Sequence, residues 1–419
     1  MPVSNNSRIF YACQAVAVEP LKKNTTTGAL EPTASANTNL APHSNNLQIL
    51  HGVQSVGINT TFNLEQVFEL GQIHIYENIE GVPDIEVTLE KVLDGYPLMY
   101  HVASTAVKDD TSLTTNAAKM QLVARSAQRC NVYLGIFPDT VAHVGDTNDV
   151  AVEVLMSGMY ISSIGYTIPV DGNATESLTL VGNHKQWNTS ASKFSSAVAR
   201  LLGSGVNNAY SDNPQADQRK INNQFTGGVQ RRENVSMSKS IFPKSINGVT
   251  TANTVGNAYS TSTNKPLIHV QNINISCDLN RESVQELGRK APFTRYANFP
   301  VEVTCEIEAI SSSGDFVQAL ENGITSNTNG LTGFAVGEQN YGNNTSNESI
   351  RICLHDGTII DLGSKNRLSS VNYGGADAGG GNATVTYSYS TYNALNVVHP
   401  ADPANVGADA AGGFFYNQS

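Results

Sequence analysis

The sequence predicts a mainly β protein made of two tandem sandwich or barrel domains, each with one flanking helix. Two observations carry this: a phrase that the chain states twice, and alternation of apolar and polar residues with period two in the segments around it. The stretch VQSVGINTTFNLEQVFELG (Val53 to Gly71) aligns without a gap to VQNINISCDLNRESVQELG (Val270 to Gly288) at an offset of 217, with nine of nineteen positions identical. Chance gives about one or two. Further echoes keep the same order: PDIEVTLE from Pro83 with PVEVTCE from Pro300, one residue dropped after the proline; SSIGY from Ser162 with SSVNY from Ser369; GNAT at Gly172 and again at Gly381. Ordered matches over this length predict a duplicated domain. The expected units are 1–187 and 229–396, with 188–228 as a linker or interaction arm and 397–419 as a C-terminal arm.

The elements follow in order. In DIEVTLE the apolar Ile85, Val87 and Leu89 alternate with Asp84, Glu86, Thr88 and Glu90, the pattern of a strand with one buried and one wet face. Val301, Val303 and Cys305 repeat it against Glu302, Thr304 and Glu306. MYISSIGYTIPVDGNATESLTLVGN reads as a hairpin turning at Asp171-Gly172-Asn173, and the second unit enlarges the same turn with GGADAGGGN. Helix is scarce. LTTNAAKMQLVARSAQR (Leu113 to Arg129) has helical apolar spacing, and GDFVQALENG is its shorter counterpart. NLEQVFELG and NRESVQELG read as single helical turns capped by Asn63 or Asn280 and closed by glycine. Leu70 and Leu287 are expected to anchor these turns, with Gly71 and Gly288 in conformations that a β-carbon penalises.

Composition narrows the function. A net charge of −11 argues against a protein that grips nucleic acid through phosphates. Charged residues make up 15% of the chain, a low share that predicts large surfaces covered by neighbours. No apolar run approaches the length of a membrane span, and the first residues lack a secretory pattern, so a chain made and kept in a cytosol is expected. The five cysteines, Cys13, Cys130, Cys277, Cys305 and Cys353, show no metal spacing, and Cys277 and Cys305 read as small core residues. Neither the nine histidines nor the Gly-rich segments form a ligand, nucleophile or phosphate-binding motif. No catalytic, cofactor or metal residue is therefore nominated, and an enzyme is disfavoured.

The phrases NRESVQELGRKAPFTRYANFPVEVTCEIEAISSSGD and YTIPVDGNATESLTLVGNHKQW resemble the tail tube proteins of long-tailed bacteriophages, in particular the form with two tube domains in one chain. The resemblance covers Gln48 to Trp187 and Arg231 to Asp315. It implies a structural virion protein, a homotrimer whose six domains make a pseudo-hexameric ring, with rings stacked into a tube for DNA ejection. It also implies synthesis in the host bacterial cytoplasm, with sheath, tape measure, baseplate and tail terminator proteins as further partners and DNA passing without specific binding. Twenty-four strands at about 4.8 Å, tilted about 40°, give a backbone diameter of roughly 48 Å and a channel near 38 Å, wide enough for duplex DNA. Glu86, Glu90, Glu302 and Glu306 are then candidates to line the channel and repel phosphates. Phe414, Phe415 and Tyr416 in the C-terminal arm are candidates for stacking one ring on the next. The rival reading is a tandem β-sandwich binding module, lectin or adhesin-like, for which exposed aromatic residues would be needed.

Overall fold

The computed structural model describes residues 9, 11–23, 30–32, 47–110, 112–137, 150–189, 228–237, 240–243, 246, 268–311, 317, 347–375, 381–400 and 402. The protein is mainly β, and every strand pairing among the described residues is antiparallel. The chain opens with β1 (Gln14–Lys23), β2 (Leu30–Pro32) and β3 (Gln48–Ile49), followed by β4 (Val53–Thr61), β5 (Leu64–Phe68), β6 (Ile75–Glu80) and β7 (Asp84–Val92). Three single-turn helices come next, α1 (Met99–Ala103), α2 (Asn116–Met120) and α3 (Leu122–Ser126). Then follow β8 (Arg129–Ile136), the long β9 (Val152–Pro169), β10 (Thr175–Gly182) and β11 (His184–Asn188). The second half contains β12 (Ile268–Asp278), β13 (Glu282–Val284), β14 (Thr294–Tyr296), β15 (Glu302–Ser311), β16 (Arg351–Cys353), β17 (Ile359–Asp361), β18 (Arg367–Gly374), β19 (Thr384–Tyr392) and β20 (Asn396–Val398).

Eight strands form one continuous path in the order β4, β7, β10, β9, β12, β15, β19, β18. The first four and the last four run through the same sequence of connections, and β9 pairs with β12 to join them. The N-terminal part of β9 extends beyond this path and pairs with β8 and β11, while β8 pairs onward with β1. Irregularities recur too. The β4–β7 ladder slips between Val53 and Ser55, and the β12–β15 ladder between Val270 and Asn272, 217 positions later. At each slip the bulged glutamine donates its Nε2 to the carbonyl two residues back: Gln54 to Gly52 at 3.3 Å and Gln271 to His269 at 3.2 Å.

The registers correct one part of the sequence alignment. Val56 lies opposite Leu89 and its match Ile273 opposite Ile307; from the other side, Leu178 faces Leu89 and its match Tyr387 faces Ile307. Leu89 therefore corresponds to Ile307, not Cys305, and Glu90 corresponds to Glu308. A slip of two residues leaves every side chain on its original face, which is why the sequence similarity pointed to the wrong pair but the right surface.

Behind the sheet the apolar phase is buried: Ile85, Val87 and Leu89 in β7, and Val303, Cys305, Ile307 and Ala309 in β15. All five cysteines are buried and none forms a disulfide; burial is as expected for Cys277 and Cys305. The hairpin turns form where predicted, with Gly172 at φ +118° and Gly381 at φ +116°. The helix expected over Leu113 to Arg129 is broken in two, because Gln121 is extended (φ −63°, ψ 145°) between α2 and α3. NLEQVFELG and NRESVQELG are not helical turns. They form the hairpins β5–β6 and β13–β14, whose short apolar runs ending in glycine suit either state by spacing alone. Gly71 (φ +95°) and Gly288 (φ +86°) do take the left-handed conformation at the hairpin tips. Most of the 188–228 arm, residues 376–380 of the Gly-rich turn, the counterpart helix apart from residue 317, and residues 403–419 lie outside the described residues.

Candidate functional site

One face of the eight-stranded path is polar from edge to edge. It presents Ser55 and Asn59 from β4; Glu86, Thr88 and Glu90 from β7; Ser177 and Thr179 from β10; and Ser163 and Thr167 from β9. It continues through Asn274, Ser276 and Asp278 of β12, Glu302, Thr304, Glu306 and Glu308 of β15, Ser388 and Ser390 of β19, and Ser370 and Asn372 of β18. Strict alternation with the buried residues places all of them on this side. Hydroxyls link neighbouring strands, as in the 2.7 Å contact between Ser276 Oγ and Thr304 Oγ1. The four nominated carboxylates, Glu86, Glu90, Glu302 and Glu306, are all exposed on this face. Sequence reading missed Asp278 and Glu308, which join them, and the guanidinium of Arg367 is the cation that the eight strands add to that face.

The second feature is the pair of hairpins. β5–β6 follows β4 and exposes Leu64, Phe68, Ile75, Tyr76 and Ile79 along its length, with Phe62 at its root. At the tips Leu70 and Leu287 are fully exposed, at 103% and 102%, so neither anchors a turn within its own chain. A two-stranded ribbon has no layer behind it in which to bury a leucine. A cleft of about 570 Å³ separates Phe62–Leu64 and Glu80–Pro83 from Lys290 and Ala291 of the second hairpin.

β13–β14, by contrast, is seated on the first half of the chain. Arg281 donates from Nε to the Ile161 carbonyl at 2.7 Å and from Nη2 to the Ser126 carbonyl, and its guanidinium sits 5.1 Å over the Tyr160 ring. Burial there pulls the Arg281 guanidinium down to about 10. Thr294 Oγ1 meets Arg129 Nη2 at 3.1 Å and Tyr160 Oη at 2.9 Å. Arg295 pairs with Asp84. Burial pushes the Asp84 carboxyl up, but hydrogen bonds from Asn63 and Arg295 outweigh it and hold the group below the usual carboxylate range.

A buried polar cluster ties the halves together on the other side of the sheet. Glu176 accepts from the backbone nitrogens of Met99 (2.7 Å) and Tyr100 (3.0 Å) at the start of α1, and from Tyr166 Oη at 3.2 Å. Arg125 forms a fully buried ion pair with Asp402 and donates to Ser104 Oγ at 2.9 Å. His101 Nε2 lies 3.0 Å from the Val397 carbonyl of β20, and burial pulls this imidazole down to about 4. The signal for Glu176 was present in the sequence: a carboxylate in the buried phase of Ala174, Leu178 and Leu180. Among the described residues no group of three or more His, Cys, Asp or Glu side chains could hold a metal ion. The ring-stacking candidates Phe414, Phe415 and Tyr416 lie outside the described residues.

The chain matches no protein-family model and no curated protein. Similar solved structures belong to contractile injection systems and prophage-derived tubes. They include the tube-terminating cap of the anti-feeding prophage, at 12% identity and a TM-score of 0.25, covering 45% of this chain and 99% of that one. The extended sheath-tube complex of an extracellular contractile injection system is similar at 10% identity and a TM-score of 0.26, covering 45% of this chain and 94% of that one. The anti-feeding prophage baseplate stands at 10% identity and a TM-score of 0.25, with 45% of this chain and 99% of that one covered. At these scores the likeness carries neither fold nor function over to this chain.

Proposed function

We propose that this protein is a structural tube subunit of a phage-like tail, with two tube domains in one chain and three chains in each ring. The observation that carries the reading is the sheet path in which one four-strand order occurs twice, with a polar face whose charges are mainly acidic and an apolar back. A path that repeats its own order is open-ended unless it closes, and copies of the chain close it by adding further repeats. In the closed ring the polar face is the channel wall. Its carboxylates repel the phosphates of DNA and so prevent the counterion release that would make the duplex adhere. Rings then stack into a tube through which DNA passes into the host.

Electron microscopy of the purified protein tests this. Rings with a central hole and threefold or pseudo-sixfold symmetry are expected, alone or stacked. Dispersed monomers at high concentration would remove the tube reading and favour a binding module.

A further inference from the structure

The junction between β9 and β12 is a template for a contact that a single chain cannot make with itself. There Ser163, Ile164, Gly165 and Tyr166 lie opposite Asp278, Cys277, Ser276 and Ile275. The chain leaving β12 then turns into β13–β14, which seats Arg281 and Thr294 against Ile161, Ser126, Arg129 and Tyr160. Strand and hairpin dock together as one unit.

The first half carries the same unit with no strand paired against it among the described residues; Lys185 of β11 reaches Thr60 of β4, and Lys290 and Ala291 border the cleft at the hairpin's root. β4 pairs with β7 on one side only, and β5–β6 is exposed along its length apart from the half-buried Val67. The last strand of the path, β18, corresponds to β9 and, among the described residues, pairs only with β19. The match is close: β9 and β18 both slip by one residue against their inner neighbours, between Ile161 and Ser163 and between Leu368 and Ser370. One pair of tyrosines differs across the two edges: Tyr166, opposite Ile275 of β12 and with its hydroxyl on the buried Glu176, is 1% exposed, and its counterpart Tyr373 is 50% exposed.

We propose that β4 and the β5–β6 hairpin of one chain form a single docking unit whose occupant is β18 and the adjoining surface of a second copy, in the register of the β9–β12 junction. This rests on the self-assembly reading above and deepens it by naming the edges and their alignment. Carrying the internal register across places Thr60 opposite the partner copy's Val371, Asn59 opposite Asn372, and Ile58 opposite Tyr373. Tyr373 is covered by the new strand, as Tyr166 is. Backbone pairing satisfies two rows of edge N–H and C=O groups that are otherwise left to water. The apolar side chains of β5–β6 take the place that Arg281 and Thr294 hold inside the chain. First half always meets second half, so the contact is head-to-tail and can close a ring.

Disulfide trapping tests the register. Asn59 and Asn372 are exposed, and directly opposed residues in an antiparallel pair stand about 4.5–5.5 Å apart between α-carbons, within disulfide range. The native cysteines are buried, so mild oxidation addresses the introduced pair. The chain carrying both Asn59→Cys and Asn372→Cys should run as a covalent trimer as the dominant species on a non-reducing gel, and each single variant should stay uncrosslinked. Asn59→Cys with Gly374→Cys, two residues out of register, should also stay uncrosslinked. Rings in the microscope without the 59–372 crosslink, or with the 59–374 crosslink instead, would overturn the proposed edge alignment and leave the tube reading standing. Crosslinked open chains without rings would support the edge contact and sink ring closure. As a second variant, Tyr373→Asp should remain a folded monomer and lose assembly, whereas full assembly would count against the docking unit.

Discussion

β13–β14 and β5–β6 are corresponding hairpins in different circumstances. One rests on the sheet of the other half, held by Arg281, Thr294 and Arg295; the other holds Leu64, Phe68, Ile75 and Ile79 out in water. Their difference teaches that exposure depends on whether a neighbour is seated against a segment more than on the segment's own character. The same holds for the two ends of the sheet path. The internal junction between β9 and β12 is covered, and the matching edges β18 and β4 are exposed.

The largest expected effect comes from breaking the internal junction. Ile275→Lys places a charge at a 2% exposed position between β9 and β15 and should cost about 4 kcal/mol or more, read as loss of the folded baseline in urea denaturation. Ile58→Lys, its counterpart at the free β4 edge, should leave the monomer folded. If both variants unfold equally, the contrast between junction and edge fails.

Arg125→Leu is next. It strips Asp402 of its buried partner and should destabilise by about 3 kcal/mol. Acid should act on the same side of the sheet. His101 is buried neutral with its pKa lowered to about 4, while in the unfolded chain it titrates near the ordinary imidazole value of 6.5. Below the unfolded value the unfolded state binds the extra proton, so stability is lost as pH falls from 6.5 towards 4, by up to about 3 kcal/mol. Denaturation midpoints across that range check this, and His101→Gln should flatten the slope.

Smaller still are the hairpin tips. A β-carbon built on Gly71 or Gly288 meets no atom within 4 Å, so only the positive φ is strained, and valine at either site should cost about 1 kcal/mol. Unchanged melting temperatures in both variants would sink the strain claim. The least effect on stability belongs to the polar face. On the proposed tube reading, replacing Glu86, Glu90, Glu302 and Glu306 with lysine should leave assembly nearly unchanged and slow DNA transit, and an assembly failure would place these acids in a protein interface instead.

What could be read from the sequence was what period two protects. The outward register of Glu86, Glu90, Glu302 and Glu306 survives the two-residue misalignment between β7 and β15, because the error respects the pleat. The hairpins were not legible in this way. NLEQVFELG is too short for its spacing to separate helix from strand, and an Asn start with a Gly end serves a helix cap as well as a tight turn. Pairings across the halves, such as Arg125 with Asp402 or Arg281 with Ile161, leave no local pattern at all. A lone arginine within QLVARSAQ was the available clue to the first of these.

The Arg125–Asp402 pair has a consequence for the birth of the chain. The partners are 277 residues apart, so at ~5–20 residues per second Arg125 leaves the ribosome roughly 14–55 s before Asp402 exists. His101 waits longer for the Val397 carbonyl, 296 residues on. For that interval the nascent first half carries an open β9 edge and an unneutralised guanidinium meant for the interior. Until then the N-terminal half lacks the groups that pair with its buried Arg125 and His101. Clustered slow codons after β11 would prolong that exposure, whereas slow codons before α3 would not.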